Sequence, residues 1–201
     1  MRFSVLFLLC LLHFFGEGQI KVLFTGNYIP ICCVNDSIEL YSFPQLPEEI
    51  SQYDAIFIFS TAHSILKKED VEKLNLFLNL GKGIYIGSEN WPLQAESNQL
   101  TSFFYTKEVW GNFTQEKAIP TKLGLIEIAD SIPAGSSTVV FPLDYRLKVE
   151  AWVNDEPLIL SGKLAGGSVI LDGGYSRFYC VAEKKINQQL FSDFIRFLVE
   201  K

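Results

Sequence analysis

Between Asp54 and Ile86 the chain reads DAIFIFSTAHSILKKEDVEKLNLFLNLGKGIYI, and this stretch constrains the fold more than any other. Ala55 to Phe59 is continuously apolar, which suits a strand covered on both faces, as in a parallel sheet. Val71, Leu74, Phe77 and Leu78 then recur at three- and four-residue spacing, the signature of a helix with one buried face. Glu69 and Asp70 favour the start of that helix, and Gly81 stops it. Ile84-Tyr85-Ile86 is a second short buried strand. Strand, helix and strand in about thirty residues make a βαβ unit, which closes with right-handed connectivity.

The flanking segments extend the same plan. Ile20 to Thr25 (IKVLFT) ends at Gly26-Asn27 as a buried strand does, and Ser37 to Ser42 (SIELYS) alternates as a second strand. Glu96 to Val109 carries Leu100, Phe103 and Phe104 and reads as a helix. The central part differs in texture: LGLIEIAD, STVVFPL and RLKVEAWV, between Thr121 and Val153, are expected as antiparallel strands added at one edge. PLILS from Pro157 and SVILD from Ser168 form a hairpin-like pair around Gly166-Gly167. A final helix carries Ile186, Leu190, Phe194, Phe197 and Leu198 on one face. The expected class is α/β, mostly parallel, with antiparallel edge strands. With 201 residues, 48% of them hydrophobic, the chain suffices for one well-buried core and is short for two.

Met1-Arg2 supplies a short positive region, Phe3 to Phe15 is almost continuously apolar, and Gly16-Glu17-Gly18 places small residues where a signal peptidase inspects. Residues 1–18 therefore read as a signal peptide cleaved before Gln19, with residues 19–201 as a single exported domain, secreted or periplasmic. The apolar run is shorter than the roughly 20 residues that span a bilayer comfortably, so no transmembrane segment is expected after cleavage. Removal of the leader leaves Cys32, Cys33 and Cys180, an odd number. Two readings stay open: one of the adjacent pair bridges to Cys180, or all three are buried thiols.

The net charge of -6, with no basic run longer than Lys67-Lys68 or Lys184-Lys185, argues against nucleic acid as a partner. His63 is the only histidine beyond the leader, and no Cys/His spacing suggests a metal or other cofactor. In a parallel sheet a ligand binds at the carboxyl ends of the strands. That edge is expected to gather Asn27, Ser60, Thr61, His63, Ser88, Glu89, Asn90, Tyr175 and Arg177, with the aromatics Tyr28 and Trp91 beside them. Arg177 is expected either to pair with Glu89 or to receive a carboxylate ligand, and Glu89 with Asp172 is a conceivable carboxylate pair.

The segment from Tyr53 to Gly111, with LILSGKLAGGSVILDGGYSRFY and NQQLFSDFIRFL further on, resembles the class I glutamine amidotransferase-like fold. More specifically it is similar to that fold's non-catalytic branch, found in periplasmic domains of gliding-motility ABC transport proteins and in an intraflagellar transport subunit. The resemblance implies a flavodoxin-like three-layer sandwich over residues 20–201. Catalytic members carry a cysteine in the turn after the second βαβ strand and a histidine beyond a later strand. Here those places read Gly87-Ser88-Glu89-Asn90 and Gly173-Gly174-Tyr175-Ser176-Arg177, with neither residue. The resemblance therefore implies a pseudoenzyme that binds a protein or a small polar ligand. The alternative is a hydrolase with Ser88 as nucleophile and His63 as its base.

Overall fold

The computed structural model describes residues 19–27, 37–104, 110–113, 117–122, 124–127, 129–179 and 184–200. The expected leader, Tyr28, Cys32, Cys33 and Cys180 lie outside them. Five strands run parallel: β1 (Ile20–Gly26), β2 (Ile38–Phe43), β3 (Ala55–Phe59), β4 (Gly83–Gly87) and β11 (Gly167–Asp172). Helix α1 (Lys68–Asn79) joins β3 to β4, so the strand–helix–strand reading holds within a residue or two at each end.

Strand alternation sorts the apolar run of β3 onto two faces. Ile56 and Ile58 join Ile84, Ile86, Val169 and Leu171 in an aliphatic layer that receives Val71, Leu74, Phe77 and Leu78 of α1. Phe57 and Phe59 point the other way, with Phe24 and Tyr85, into an aromatic layer beneath α3 (Lys184–Val199). Phe57 stacks on Tyr85 at 4.6 Å between ring centres, and Phe178, Phe191 and Phe194 close around them edge-on or tilted. In α3 the buried stripe is Leu190, Phe194 and Leu198 with Phe191 and Ile195, while Ile186 and Phe197 are only partly covered. At Gly83 the helix and the sheet meet directly, because a Cβ there would overlap the backbone and Cβ of Leu198.

The sheet is mixed rather than mostly parallel. Its order is β2-β1-β3-β4-β11-β10-β9-β6-β7, and β10 (Glu156–Leu164), β9 (Lys148–Val153), β6 (Lys117–Pro120) and β7 (Ile132–Pro133) are all antiparallel additions beyond β11. Two tight turns dictate this. Ala165-Gly166 links β10 to β11 and Asn154-Asp155 links β9 to β10, each with positive φ at both central residues, the geometry that folds a strand straight back beside its neighbour. The Asn-Asp pair was a legible hairpin signal that the reading of the sequence passed over.

The central segment departs furthest from expectation. The described residues of LGLIEIAD form no strand; Gly124 N–H closes a turn on Thr121 O, and Leu125 N–H donates to the Glu150 carboxylate instead of to a ladder. Of STVVFPL only Ser137–Val139 (β8) forms a strand, and it pairs with β5 (Trp110–Phe113) in a separate two-stranded ladder. Helix α2 (Ala95–Phe104) starts as expected, while residues 105–109 of the expected helix lie outside the described residues. Among the described residues there are three α-helices, and none is long and apolar enough to cross a membrane.

Candidate functional site

The carboxyl ends of β1, β3, β4 and β11 bring most of the expected residues together, and most of these are hydrogen-bonded to protein partners. Asp172, at the last position of β11, is fully buried and receives four hydrogen bonds. The Tyr85 hydroxyl donates to Oδ2 at 2.7 Å, the Arg177 guanidinium donates from one nitrogen to both oxygens at 2.7 Å, and Gly174 N–H donates to Oδ1 at 2.9 Å. Arg177 is equally buried, and its other nitrogens donate to the carbonyls of Pro133 and Ala134 at 2.8 Å. The expected partner of Arg177, Glu89, is therefore displaced by Asp172, five residues away across the turn that follows β11. The conceivable Glu89–Asp172 carboxylate pair does not form either, because each acid has donors of its own.

Glu89 lies in the turn after β4 and accepts the backbone N–H of Ser176 at 2.5 Å. Burial raises its pKa above the ordinary carboxylate value, the Ser176 hydrogen bond opposing that shift. The Tyr85 hydroxyl is pushed well above its usual range by burial and by the adjacent Asp172 carboxylate, so it remains a proton donor. Tyr175, in the 3-10 turn Tyr175–Phe178, donates to the Ser60 carbonyl and accepts from the Asn27 amide, both at 2.9 Å. Burial raises its pKa as well. Asn27, Ser60 and Tyr175 thus form one knot that ties the ends of β1 and β3 to the turn after β11.

Ser88 is buried, and its hydroxyl donates to the Asp172 carbonyl at 3.1 Å while its N–H donates to the same oxygen at 2.7 Å. His63 sits exposed on the loop after β3, and among the described residues no hydrogen bond joins it to Ser88. The Ser88 proton is directed to the Asp172 carbonyl rather than to the imidazole. Asn90 is half-buried, with its N–H donated to Ser136 O at 2.9 Å. Trp91 projects into solvent, 76% exposed, and stands at the rim of this edge.

Reading the sequence for site residues missed three that hold the edge in shape. Glu96, in the first turn of α2, is fully buried and clamps the loop bearing His63: its carboxylate accepts Thr61 N–H at 2.6 Å, Thr61 Oγ1 at 2.8 Å and Ile65 N–H at 2.9 Å. Ser97 meets Ser60, Oγ to Oγ, at 3.1 Å. Gln94 joins the Glu89 carbonyl to Thr138 Oγ1. An acidic residue followed by a serine in a first helical turn is ordinary helix-start chemistry, and only the fold shows that Glu96 and Ser97 face a loop 30 or so positions earlier.

A Cβ at Gly173 would overlap the carbonyl oxygen of Thr138, and one at Gly174 that of Ala134. The glycines are required because the segment from Ala134 to Thr138 crosses directly over them. The hollow left beside Asn27, lined by Thr25, Gly26, Ser42 and Phe59, holds about 140 Å³, below the roughly 300 Å³ at which ligand pockets usually begin. Among the described residues no group of three or more His, Cys, Asp or Glu side chains could hold a metal ion.

No protein-family model matches the chain, and no curated protein matches its sequence. Solved structures do match. Cytoplasmic protein STM3548 from Salmonella typhimurium superimposes with a TM-score of 0.64 at 11% identity, over 90% of this chain and 100% of that one. The N-terminal domain of mmIFT52 gives 0.58 at 14% identity over 90% and 98% of the two chains. A β-galactosidase from Rahnella sp. R3 gives 0.61 at 8% identity over 89% of this chain, but only 31% of its own. At such identities the likeness is one of fold alone.

Proposed function

We propose that this protein is an exported, non-catalytic binding or assembly module, built as a single flavodoxin-like three-layer domain over residues 19–201 on the amidotransferase-like plan. The observation that carries the reading is the internal closure of the carboxyl edge. Asp172, Arg177, Tyr85, Tyr175 and Glu96 are buried and hydrogen-bonded to protein partners, and Ser88 directs its proton to a backbone carbonyl. A nucleophile needs a base aimed at its proton, and among the described residues the Ser88 hydroxyl is directed to a backbone carbonyl instead, which supports the non-catalytic reading. The fold likeness to the N-terminal domain of mmIFT52 and to a segment of a much longer galactosidase supports use of this fold as one part of a longer chain. Recognition then belongs to the rim, where Trp91 offers an exposed aromatic, for a protein or a small polar ligand. Export rests on the leader pattern of residues 1–18.

The test treats the purified protein with a fluorophosphonate serine probe and, separately, measures ammonia release from glutamine. Absence of labelling and of turnover, alike in the native protein and in Ser88→Ala, is the expected result. Probe labelling that disappears in Ser88→Ala would replace this reading by the hydrolase one. Intact mass of the protein from its native host, expected to begin at Gln19, checks export; a retained Met1 or Arg2 would overturn it.

A further inference from the structure

A second concavity lies far from the carboxyl edge, on the antiparallel flank. It is a cleft of about 680 Å³, between Thr121, Lys122, Gly124 and Leu125, strands β9 and β10, and Phe197 of α3. That volume falls inside the range of small-molecule sites. Its lining is largely apolar, from Leu125, Val149 and Phe197, and it has an unusual rim.

In a chain of net charge -6, this cleft gathers Lys122, Arg146, Lys148 and Lys163 against a single acid, Glu150. The acid is already satisfied. Glu150 is buried, with Ser161 Oγ donating to one oxygen and Leu125 N–H to the other, each at 2.5 Å. Arg146 is occupied too, forked onto Asp144 at 2.7 and 2.9 Å, which holds that carboxyl down near a pKa of about 2. The other three cations are different. Lys163 is held over the Phe197 ring at 5.5 Å by Ser168 Oγ and by the carbonyl of Glu200, which fix its position without neutralising its charge. Among the described residues no carboxylate forms a salt bridge with Lys122, Lys148 or Lys163.

We infer that this cleft binds a small amphipathic anion, a ligand with an apolar body and one carboxylate, sulfonate or phosphate head. The body lies against Leu125, Val149 and Phe197, where burial supplies affinity, and the head sits among the three lysines at the rim, where charge supplies orientation. A cation with the same tail meets like charge there, and inorganic phosphate alone has nothing to bury. The site stands apart from the carboxyl edge, so its failure would leave the binding-module reading untouched.

The test titrates the purified protein at neutral pH with decanoate, decyltrimethylammonium and inorganic phosphate, by calorimetry and by backbone amide shifts. Saturable one-to-one binding of decanoate is expected, with the shifts centred on Gly124, Val149 and Gly162. Decyltrimethylammonium and phosphate should bind at least roughly tenfold more weakly, and added salt should weaken decanoate. Lys122→Glu with Lys148→Glu, both at exposed positions, should cost roughly tenfold in decanoate affinity with unchanged thermal unfolding. If that double variant fails to fold, Lys163→Gln supplies the same comparison. Equal affinity for the two decyl ligands, no saturable decanoate binding, shifts centred elsewhere, or unchanged affinity in the folded charge variants would overturn the inference.

Discussion

Asp172 and Arg177 form an ion pair with no solvent contact on either side chain, and its energetics are those of a buried charge rather than of a surface bridge. Removing one partner strands the other. Arg177→Met should lower stability to urea by about 3–5 kcal/mol, whereas Asp172→Asn combined with Arg177→Met should cost clearly less than the sum of the two single changes. Additive losses would mean that the pair is not coupled. Glu89 gives a pH signature. Its pKa is raised in the folded protein, so the folded state binds the proton more tightly than the unfolded one, and stability from this group falls as pH rises from its ordinary value near 4.5 through the raised one. Glu89→Gln keeps an acceptor for the Ser176 N–H and abolishes that ionisation. Its stability relative to the native protein should therefore grow as pH rises through that window, as chemical denaturation at several pH values would show, and a constant difference would contradict the assignment.

Helix α1 was legible in the sequence because its signals are local. Asp70, three positions into the helix, accepts the Lys67 N–H at 2.9 Å and faces Lys73 at 3.2 Å, both within one turn. Asp70→Ala should cost about 1 kcal/mol in thermal or urea unfolding, without changing the fold. The antiparallel flank was less legible. Alternating apolar residues in LGLIEIAD predicted a strand, yet Leu125 gives its N–H to Glu150, and a side-chain acceptor 25 positions away leaves no trace in periodicity. Conversely, the positive-φ turns at Asn154-Asp155 and Ala165-Gly166 settled the direction of β9 and β10; the first was readable from residue type, and the second is the hairpin read from Gly166-Gly167.

Across the whole molecule, protection should follow burial on two faces. Strands β3, β4 and β11 are buried at every position, between the aliphatic and the aromatic layers. Their amides should exchange slowest with deuterium, near the global unfolding limit, while those of β6 and β7, the short outermost ladder, should exchange orders of magnitude faster. Equal protection across the sheet would mean that the antiparallel flank is as deeply cooperative as the parallel centre. The cleft on the antiparallel flank is walled by β9 and β10, close to the protected core.

By itself the sequence determined the βαβ centre, the closing helix and the meeting of strand ends at one polar edge, because burial imposes periods of two and of 3.6 residues that neighbours along the chain must obey. Only the tertiary structure decided which groups meet at that polar edge. Whether Arg177 meets Glu89 or Asp172, whether Ser88 faces His63 or a carbonyl, and which three lysines share a cleft are pairings between segments brought together by folding. Such pairings depend on distances of a few ångströms between groups scores of residues apart, and no spacing along the chain encodes them.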